Sequence, residues 1–486
     1  MSPEPASFVV ERHFDPEDQA ADPYPLIPVD LPPGVGRLEV RYTYSDPISP
    51  DPLETQAGNV VDLGVLAPDG FRGWSGSARQ SFILTPDRAT PGYLPGPLAA
   101  GRWHVLLGLY KLAPAGCDVQ AEIRWTLTEP GDTPAPAPLS WAGLFERVAR
   151  QKAGWYHGDL HSHSHHSEAQ GSLHDLLTAA RAQGLDFLAI TEHNTVSHLV
   201  EMAGWPEPPS PLVIPAMELT TYHGHANALG IRQWHDFRRR TPEQMAVLRA
   251  EVQAEGALFV VNHPKMTGPP WELGDEALAD AVEVWQQPWH VFNYQSLAVW
   301  DRLLKQGHRL TAVGGSDKHQ APFDGSLGFH EVGQPCTWVY AEELSVPALL
   351  AGLRAGHTFI SAGPAGPRLE LTATASGSTA MMGDMLSLPD GQEARLCCGV
   401  TGADGHFLLL VSATGALLIP IARDDWSYEQ PVVASDGYWR AEIIEPPPAH
   451  QRDEPAAHMA VALSNPIYLS PTQVGNLSHM GYNGRT

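Results

Sequence analysis

Hydrophobic and polar positions follow two different rhythms along this chain. Between Arg37 and Leu127 the period is close to two. Ala121-Glu122-Ile123-Arg124-Trp125-Thr126-Leu127 puts apolar side chains on one face and polar ones on the other, as a half-buried strand does. Similar runs occupy Leu38–Tyr44, Val60–Val65, Gln80–Leu84, Arg102–Tyr110 and Gln120–Leu127, with Gly and Pro clusters such as Pro91–Pro97 between them. Short strands so punctuated predict a β-sandwich or jelly-roll module with its Trp and Tyr residues in the core. The residues before Arg37, rich in Pro, Asp and Glu, read as an irregular lead-in with room for one edge strand.

A Pro-rich linker, Glu129–Pro138, and a short amphipathic helix, Trp141–Gln151, precede a change of rhythm. Leu173, Leu176, Leu177 and Ala180 recur at helical spacing from Ser172, and the run Leu185–Ile190 follows the break at Gly184. Thr241-Pro242-Glu243-Gln244 opens a second helix with an N-cap and Pro at its first position, and Leu258–Val261 follows Gly256. A third helix over Leu297–Lys305 leads to the strand Leu310–Val313. Two more apolar runs end in acids, Leu212–Met217 before Glu218 and Ala281-Val282 before Glu283. This βα alternation predicts an α/β domain with parallel strands. Its polar residues fall at the C-terminal strand ends, the face on which (β/α) barrels build their sites. After Gly363 the β rhythm returns over Arg368–Thr374, Ala394–Val400, Phe407–Ser412, Ala416–Ala422, Tyr438–Ile444 and Met459–Ser464. The expectation is a multi-domain α/β plus β chain of three units: 1–140, 141–363 and 364–486. The last is a second β-sandwich-like module with a scaffolding, substrate-gating or oligomerising role, and the tail beyond Ser470 frays.

Composition narrows the function. A chain of 486 residues is long enough for two or three cores. A formal net charge of -25 argues against gripping long nucleic acid. It leaves a small phosphorylated substrate open, because bound metal supplies local positive charge. Cys117, Cys336, Cys397 and Cys398 lack zinc-knuckle spacing and read as thiols. No signal peptide and no apolar run of 18 residues is visible, so a cytoplasmic protein with no membrane contact is expected. Nothing in the sequence sets an oligomeric state.

The chemistry concentrates in the middle unit, where fifteen of the 23 histidines lie between His157 and His319. His161 and His163, two apart on an extended segment, point to one side and reach a single ion. Asp159 faces the same way and is placed to orient a ligand. Nine candidate ligands sit at or just after strand ends: His161, His163, Glu168, His193, Glu218, His225, His263, Asp317 and His319. Imidazole and carboxylate suit zinc, manganese or iron, and nine ligands fit two or three ions, with Glu218 and Asp317 able to bridge. Lys265 and Lys318 stand beside ligands, either to bind a substrate phosphate or as solvated surface lysines. Trp285, Gln286 and Gln287 either shape the pocket or pack. His165 and His166 read as exposed loop residues. His157, His174, His198, His235, His290 and His308 read as structural or surface residues.

The order His-x-His, Thr191-Glu192-His193-Asn194, Glu218, Gly224-His225-Ala226-Asn227, Asn262-His263-Pro264 and Gly315-Ser316-Asp317-Lys318-His319 resembles the PHP (polymerase and histidinol phosphatase) superfamily. These motifs cover about Gly154–His319. Gly158-Asp159-Leu160-His161, the run Gly224–Gly230 and Ser464-Asn465-Pro466-Ile467-Tyr468 are most similar to the CehA/McbA branch. The resemblance implies a distorted seven-stranded (β/α) barrel flanked by the two β-modules. It implies that His161 and His163 bind one ion, bridged onward by Glu218 and Asp317. Glu168 and His193 would bind a second ion, and His225, His263 and His319 a third. His225 is preferred to His223 because it fills the Gly-His-x-Asn slot. Glu168 and Glu192 depart from the family, which often has Asp at both.

The activity expected is a metal-dependent phosphoesterase on a small phosphorylated metabolite, nucleotide or short oligonucleotide. Asp317, Glu218 and His319 would be its catalytic residues, and paired ions would supply hydroxide at neutral pH. Three divalent ions against the carboxylates Glu168, Glu218 and Asp317 leave a positive surplus of about three, which suits a phosphate dianion. A carbamate, amide or ester hydrolase is the rival reading. A non-catalytic binding protein is disfavoured by the complete ligand set.

Overall fold

The computed structural model describes residues 6–48, 58–128, 140–320, 330–389, 391–446 and 458–472. The linker read at Glu129–Pro138 and most of the tail lie outside the described residues.

Alternation before residue 128 builds two four-stranded antiparallel sheets. One orders Ala6–Phe14, Cys117–Leu127, Val35–Tyr44 and Ser81–Leu84, and the other Leu26–Leu31, Gly101–Lys111, Val60–Ala67 and Gly70–Gly76. Val40, Leu63, Leu107 and Ile123 are buried in their shared core. The lead-in is more ordered than its composition suggests. Ala6–Phe14 pairs along its length with Cys117–Leu127, and Asp15 caps a short helix, Pro16–Ala21, through the backbone N–H groups of Glu17 and Asp18. Phe8 and Val10 pack on the core, which is enough to hold this polar strand at the edge.

The middle of the chain lays seven strands side by side: Gly154–Asp159, Phe187–Ile190, Leu212–Thr221, Gly224–Leu229, Leu258–Val261, Ala281–Gln286 and Thr311–Gly315. The predicted helices accompany them. Ser172 and Asp175 form a capping box on Leu173–Ala182, and Thr241 caps Pro242–Ala254. Asn293–Lys305 begins one turn earlier than its apolar spacing suggested. The helix expected over 141–151 is only Ala142–Phe145, followed by a short strand, Val148–Arg150.

Two features depart from a parallel, closed barrel. Leu212–Thr221 turns directly into Gly224–Leu229 as an antiparallel hairpin, and the latter pairs antiparallel with Leu258–Val261. Two residues between the strands cannot make the dozen-residue crossover that a parallel pair needs. Among the described residues no strand ladder joins Gly154–Asp159 to Thr311–Gly315. Gly154–Asp159 pairs on its outer side with Cys336–Ala341, and the segments that follow the two strands meet at the isolated bridge Ser162–Lys318.

The sheet then runs past residue 363. Cys336–Ala341 pairs with Thr358–Ser361, which pairs with Ala460–Ser464, and Tyr438–Ile444, Phe407–Ser412 and Ala416–Pro420 follow. A separate four-stranded sheet of Ser378–Met381, Arg368–Ala375, Glu393–Thr401 and Asp425–Val433 belongs to the C-terminal region. The Asn465 side chain locks the junction. It accepts from Ala312 N and donates to Ala312 O and Thr358 O. Among the described residues no helix is long and apolar enough to cross a membrane.

Candidate metal centre

The loop after Gly154–Asp159 is fixed first by Asp159. Its buried carboxylate accepts from His161 N, Ser316 N and Gly333 N at 3.1, 2.9 and 2.8 Å. Asp159 therefore braces three backbone segments and does not orient an imidazole. Burial raises it to about 6, although these donors pull it back down. Gly315 allows the two segments to meet, since a Cβ there would lie 2.4 Å from His161 Cβ. Asn194, His263 and Asp317 adopt positive φ values of 59°, 28° and 50°, so backbone strain gathers at the ligand-bearing strand ends.

Four side chains then converge. His161 Nε2 lies 3.3 Å from both Glu218 Oε2 and Asp317 Oδ1. His163 Nε2 lies 3.0 Å from Asp317 Oδ1 and 3.6 Å from Glu218 Oε2. A tetrahedral ion with bonds of about 2.0–2.2 Å has ligand–ligand edges of about 3.3–3.6 Å. His161 Nε2, His163 Nε2 and Glu218 Oε2 are buried without a hydrogen-bond partner, which is costly unless a cation meets them. The donor set thus fits a divalent ion. The other oxygen of Glu218 faces a second group, with His225 Nδ1 at 3.2 Å and His263 Nε2 at 3.7 Å. His163, His193 and His319 form a third group, and the His163 and His319 rings stack at 4.2 Å.

Charge is balanced inside this cluster. Burial would raise Glu218, but the facing His161, His193 and His225 rings outweigh it and hold it well below the carboxylate range. Asp317 is held low in the same way, chiefly by His161 and His319. Burial, with His319 and His193 beside it, lowers His163 to about 3, leaving a neutral imidazole ready to ligate.

Several expected roles change. Glu168 Oε1 sits 2.5 Å from His193 Nδ1, while His193 Nε2 sits 2.8 Å from Glu218 Oε2. Glu168 therefore meets His193 on the ring nitrogen away from Glu218, and it joins none of the ligand groups among the described residues. His319 groups with His163 and His193, not with His225 and His263. Lys265 is buried, and its Nζ donates to Gln286 O, Val291 O and Asn293 Oδ1, so it is neither a phosphate ligand nor a surface lysine. Lys318 is also buried, with Nζ donating to His330 O at 2.8 Å. His166 is buried between Ser197 Oγ and Glu201 Oε2. His225 lies in the centre, whereas His223 pairs with Glu272 at the surface. Glu192 accepts from Ser164 and Ser167 and ties the loop without ligating.

Glu283 belongs to the site, although the sequence reading left it out of the ligand set. Its Oε1 lies 2.9 Å from His161 Nδ1 and its Oε2 accepts from His263 N. The signal was present, an acid ending an apolar run, as for Glu218. Gln286 donates to Asp317 Oδ2, and Asn262 donates to Glu218 Oε1 at 2.8 Å. A cleft of about 240 Å³ opens over His193, Glu218, His225, His263, Asp317 and His319, with Thr267, Gly268, Pro269, Gln286 and Gln287 completing its wall. Gly268 is required by closeness, since a Cβ would lie 2.9 Å from His263 Nδ1. No lysine or arginine lines this cleft among the described residues.

Residues 159–234 match the family model of the PHP domain. No curated protein matches the chain. A solved two-domain protein from Bacteroides vulgatus, containing a predicted PHP-like metal-dependent phosphoesterase, is 16% identical, with coverage of 66% of this chain and 98% of that one. The TM-score between the two structures is 0.35. The stretch that supplies His161, His163, His193, Glu218 and His225 is thus similar in sequence to the PHP domain family.

Proposed function

We propose that this protein is a metal-dependent hydrolase of the PHP superfamily, nearest to its CehA/McbA branch, acting on a small phosphorylated substrate. The observation that carries the reading is the convergence of His161 Nε2, His163 Nε2, Glu218 Oε2 and Asp317 Oδ1 at 3.0–3.6 Å in a buried pocket. His161, His163, Glu218 and Asp317 would hold one ion, and Glu218 with His225 and His263 a second. His163, His193 and His319 would share a third. Zinc, manganese and iron all suit these donors. Bound divalent ions activate water near neutral pH and polarise the substrate.

The chain's own residues do the rest. Glu283 turns His161 toward Glu218 and Asp317, and Glu168 does the same for His193. Gln286 fixes the second oxygen of Asp317. Thr267 and Gln287 line the cleft together with His319 and would meet the substrate there. With Glu218, Asp317, Glu283 and Glu168 as the carboxylates of the centre, three divalent ions leave a positive surplus of about two, which favours an anionic phosphoester. The three units bounded near residues 140 and 363, and a cytoplasmic setting, belong to the same reading.

One observation favours carbamate, amide or ester hydrolysis instead. Both lysines expected to pair with phosphate are turned to backbone carbonyls, and the cleft wall beyond the histidines and carboxylates is neutral. The test compares p-nitrophenyl phosphate, a phosphate bis-ester and 3′,5′-bisphosphorylated nucleotides with naphthyl carbamate and anilide substrates, with zinc or manganese supplied. Phosphoester turnover is expected. Turnover of the carbamate or anilide alone would overturn the phosphoesterase reading and establish its rival.

A further inference from the structure

The pair Glu168–His193 is built by two modules. Inside the site domain the loop that carries Glu168 is tied by Ser164 and Ser167 donating to Glu192, and by Gln170 N donating to His319 O. Two of its carbonyls are taken from outside. Arg79, in the turn between strands Gly70–Gly76 and Ser81–Leu84 of the N-terminal sandwich, donates Nη1 to Ser167 O at 3.0 Å and Nη2 to His165 O. Ser167 O belongs to the peptide that leads into Glu168. The planar guanidinium meets the two carbonyls from two separate nitrogens held in a fixed fork. Gly76 closes over the same carboxylate, since a Cβ there would lie 3.7 Å from Glu168 Oε2.

The sandwich also holds the segment after His193. Gly92 N donates to Ser197 Oγ at 3.0 Å, and Thr195 Oγ1 donates to Gly92 O at 2.8 Å. Both halves of the pair are therefore anchored to one rigid β-module. Glu168 in turn fixes the ring whose Nε2 approaches Glu218 at 2.8 Å. We infer that Arg79 is a positioning residue for the Glu168–His193 pair, and that the N-terminal sandwich is thereby a working part of the metal centre. This rests on the metallohydrolase reading. A partner that orients a ligand from behind typically changes metal affinity by about 10–100-fold, and Arg79 acts one step further out.

The test uses the full chain with Arg79→Gln and Arg79→Lys. Hydrogen–deuterium exchange of chelator-treated protein should show faster exchange over residues 163–172 in Arg79→Gln, with the N-terminal strands unchanged. Competition with a chelator should show zinc or manganese affinity at the weakest-held ion falling by about tenfold. Arg79→Lys, which keeps the charge and loses the fork, should fall between wild type and Arg79→Gln in both readouts. Wild-type exchange in the loop, or faster exchange with wild-type metal affinity, would overturn the inference. If Arg79→Gln fails to fold, Arg79→Lys alone decides by the same two readouts. A wild-type protein that binds no metal would sink the hydrolase reading, while the exchange result would still judge whether Arg79 orders the loop.

Discussion

Glu283 Oε1 lies 2.9 Å from Nδ1 of His161, and this contact sets which nitrogen of His161 faces the metal centre. With Nδ1 engaged, Nε2 is the atom presented to Glu218 and Asp317. Glu283→Gln should keep the shape and lose the charge. Metal affinity, measured by chelator competition, is expected to drop by about 10–100-fold. An unchanged affinity would mean that His161 is oriented by packing alone.

Purified protein should carry two or three divalent ions per chain. His161→Ala and Asp317→Ala each remove a ligand from the best-formed group and should lower hydrolysis by at least about 100-fold. His165→Ala removes a ring that meets Gly171 O and the His166 ring and belongs to none of the ligand groups, and should change hydrolysis little. Metal analysis of wild type together with turnover of the three variants checks this, and equal losses in all three would show that the ligands of this loop are misplaced.

Lys265 should matter to the fold and not to the substrate. Lys265→Met leaves Gln286 O, Val291 O and Asn293 Oδ1 without their shared donor. A loss of about 2–3 kcal/mol in denaturant unfolding is expected, with KM unaltered. A raised KM at unchanged stability would return Lys265 to the substrate.

Asp62 links stability to pH. Burial pushes its carboxyl from 3.8 up to about 7, despite the hydrogen bond from Tyr222. The protonated form is therefore the one that favours the fold. Its contribution is complete below about pH 4 and is lost as pH rises through about 7. Asp62→Asn should raise the Tm of metal-free protein at pH 8 and leave it unchanged at pH 4, with a gain on the order of 4 kcal/mol at the upper end. Equal Tm values at pH 8 would show that the ionised carboxylate is satisfied in the fold.

What was legible in the sequence was mostly local. Ser172 and Thr241 announced their helices because a cap and its first turn are neighbours in sequence. His161 and His163 stood out by their spacing of two, and His193, Glu218, His263 and Asp317 because each ends or follows an apolar run that becomes a strand, whereas His225 opens its strand, Gly224–Leu229. What was not legible depends on who faces whom. Glu168 and His193 are 25 residues apart, and their direct contact is a tertiary fact. Charge type alone could not say that Lys265 and Lys318 turn to buried carbonyls. The hairpin at Tyr222-His223 was hidden because an apolar run looks the same whether its partner is parallel or antiparallel.

The Asn465 junction bears on how this chain can be taken apart. Thr358–Ser361 has its outer partner in Ala460–Ser464, so a polypeptide ended after Gly363 would present a raw strand edge carrying Phe359 and Ile360 to solvent. Such a fragment should self-associate instead of behaving as a stand-alone domain, and should be detected as aggregate by light scattering. Swapping the last hundred residues between relatives would carry the same penalty unless the receiving strand edge were swapped with them. The strands at the end of the chain thus finish the sheet that carries the candidate site.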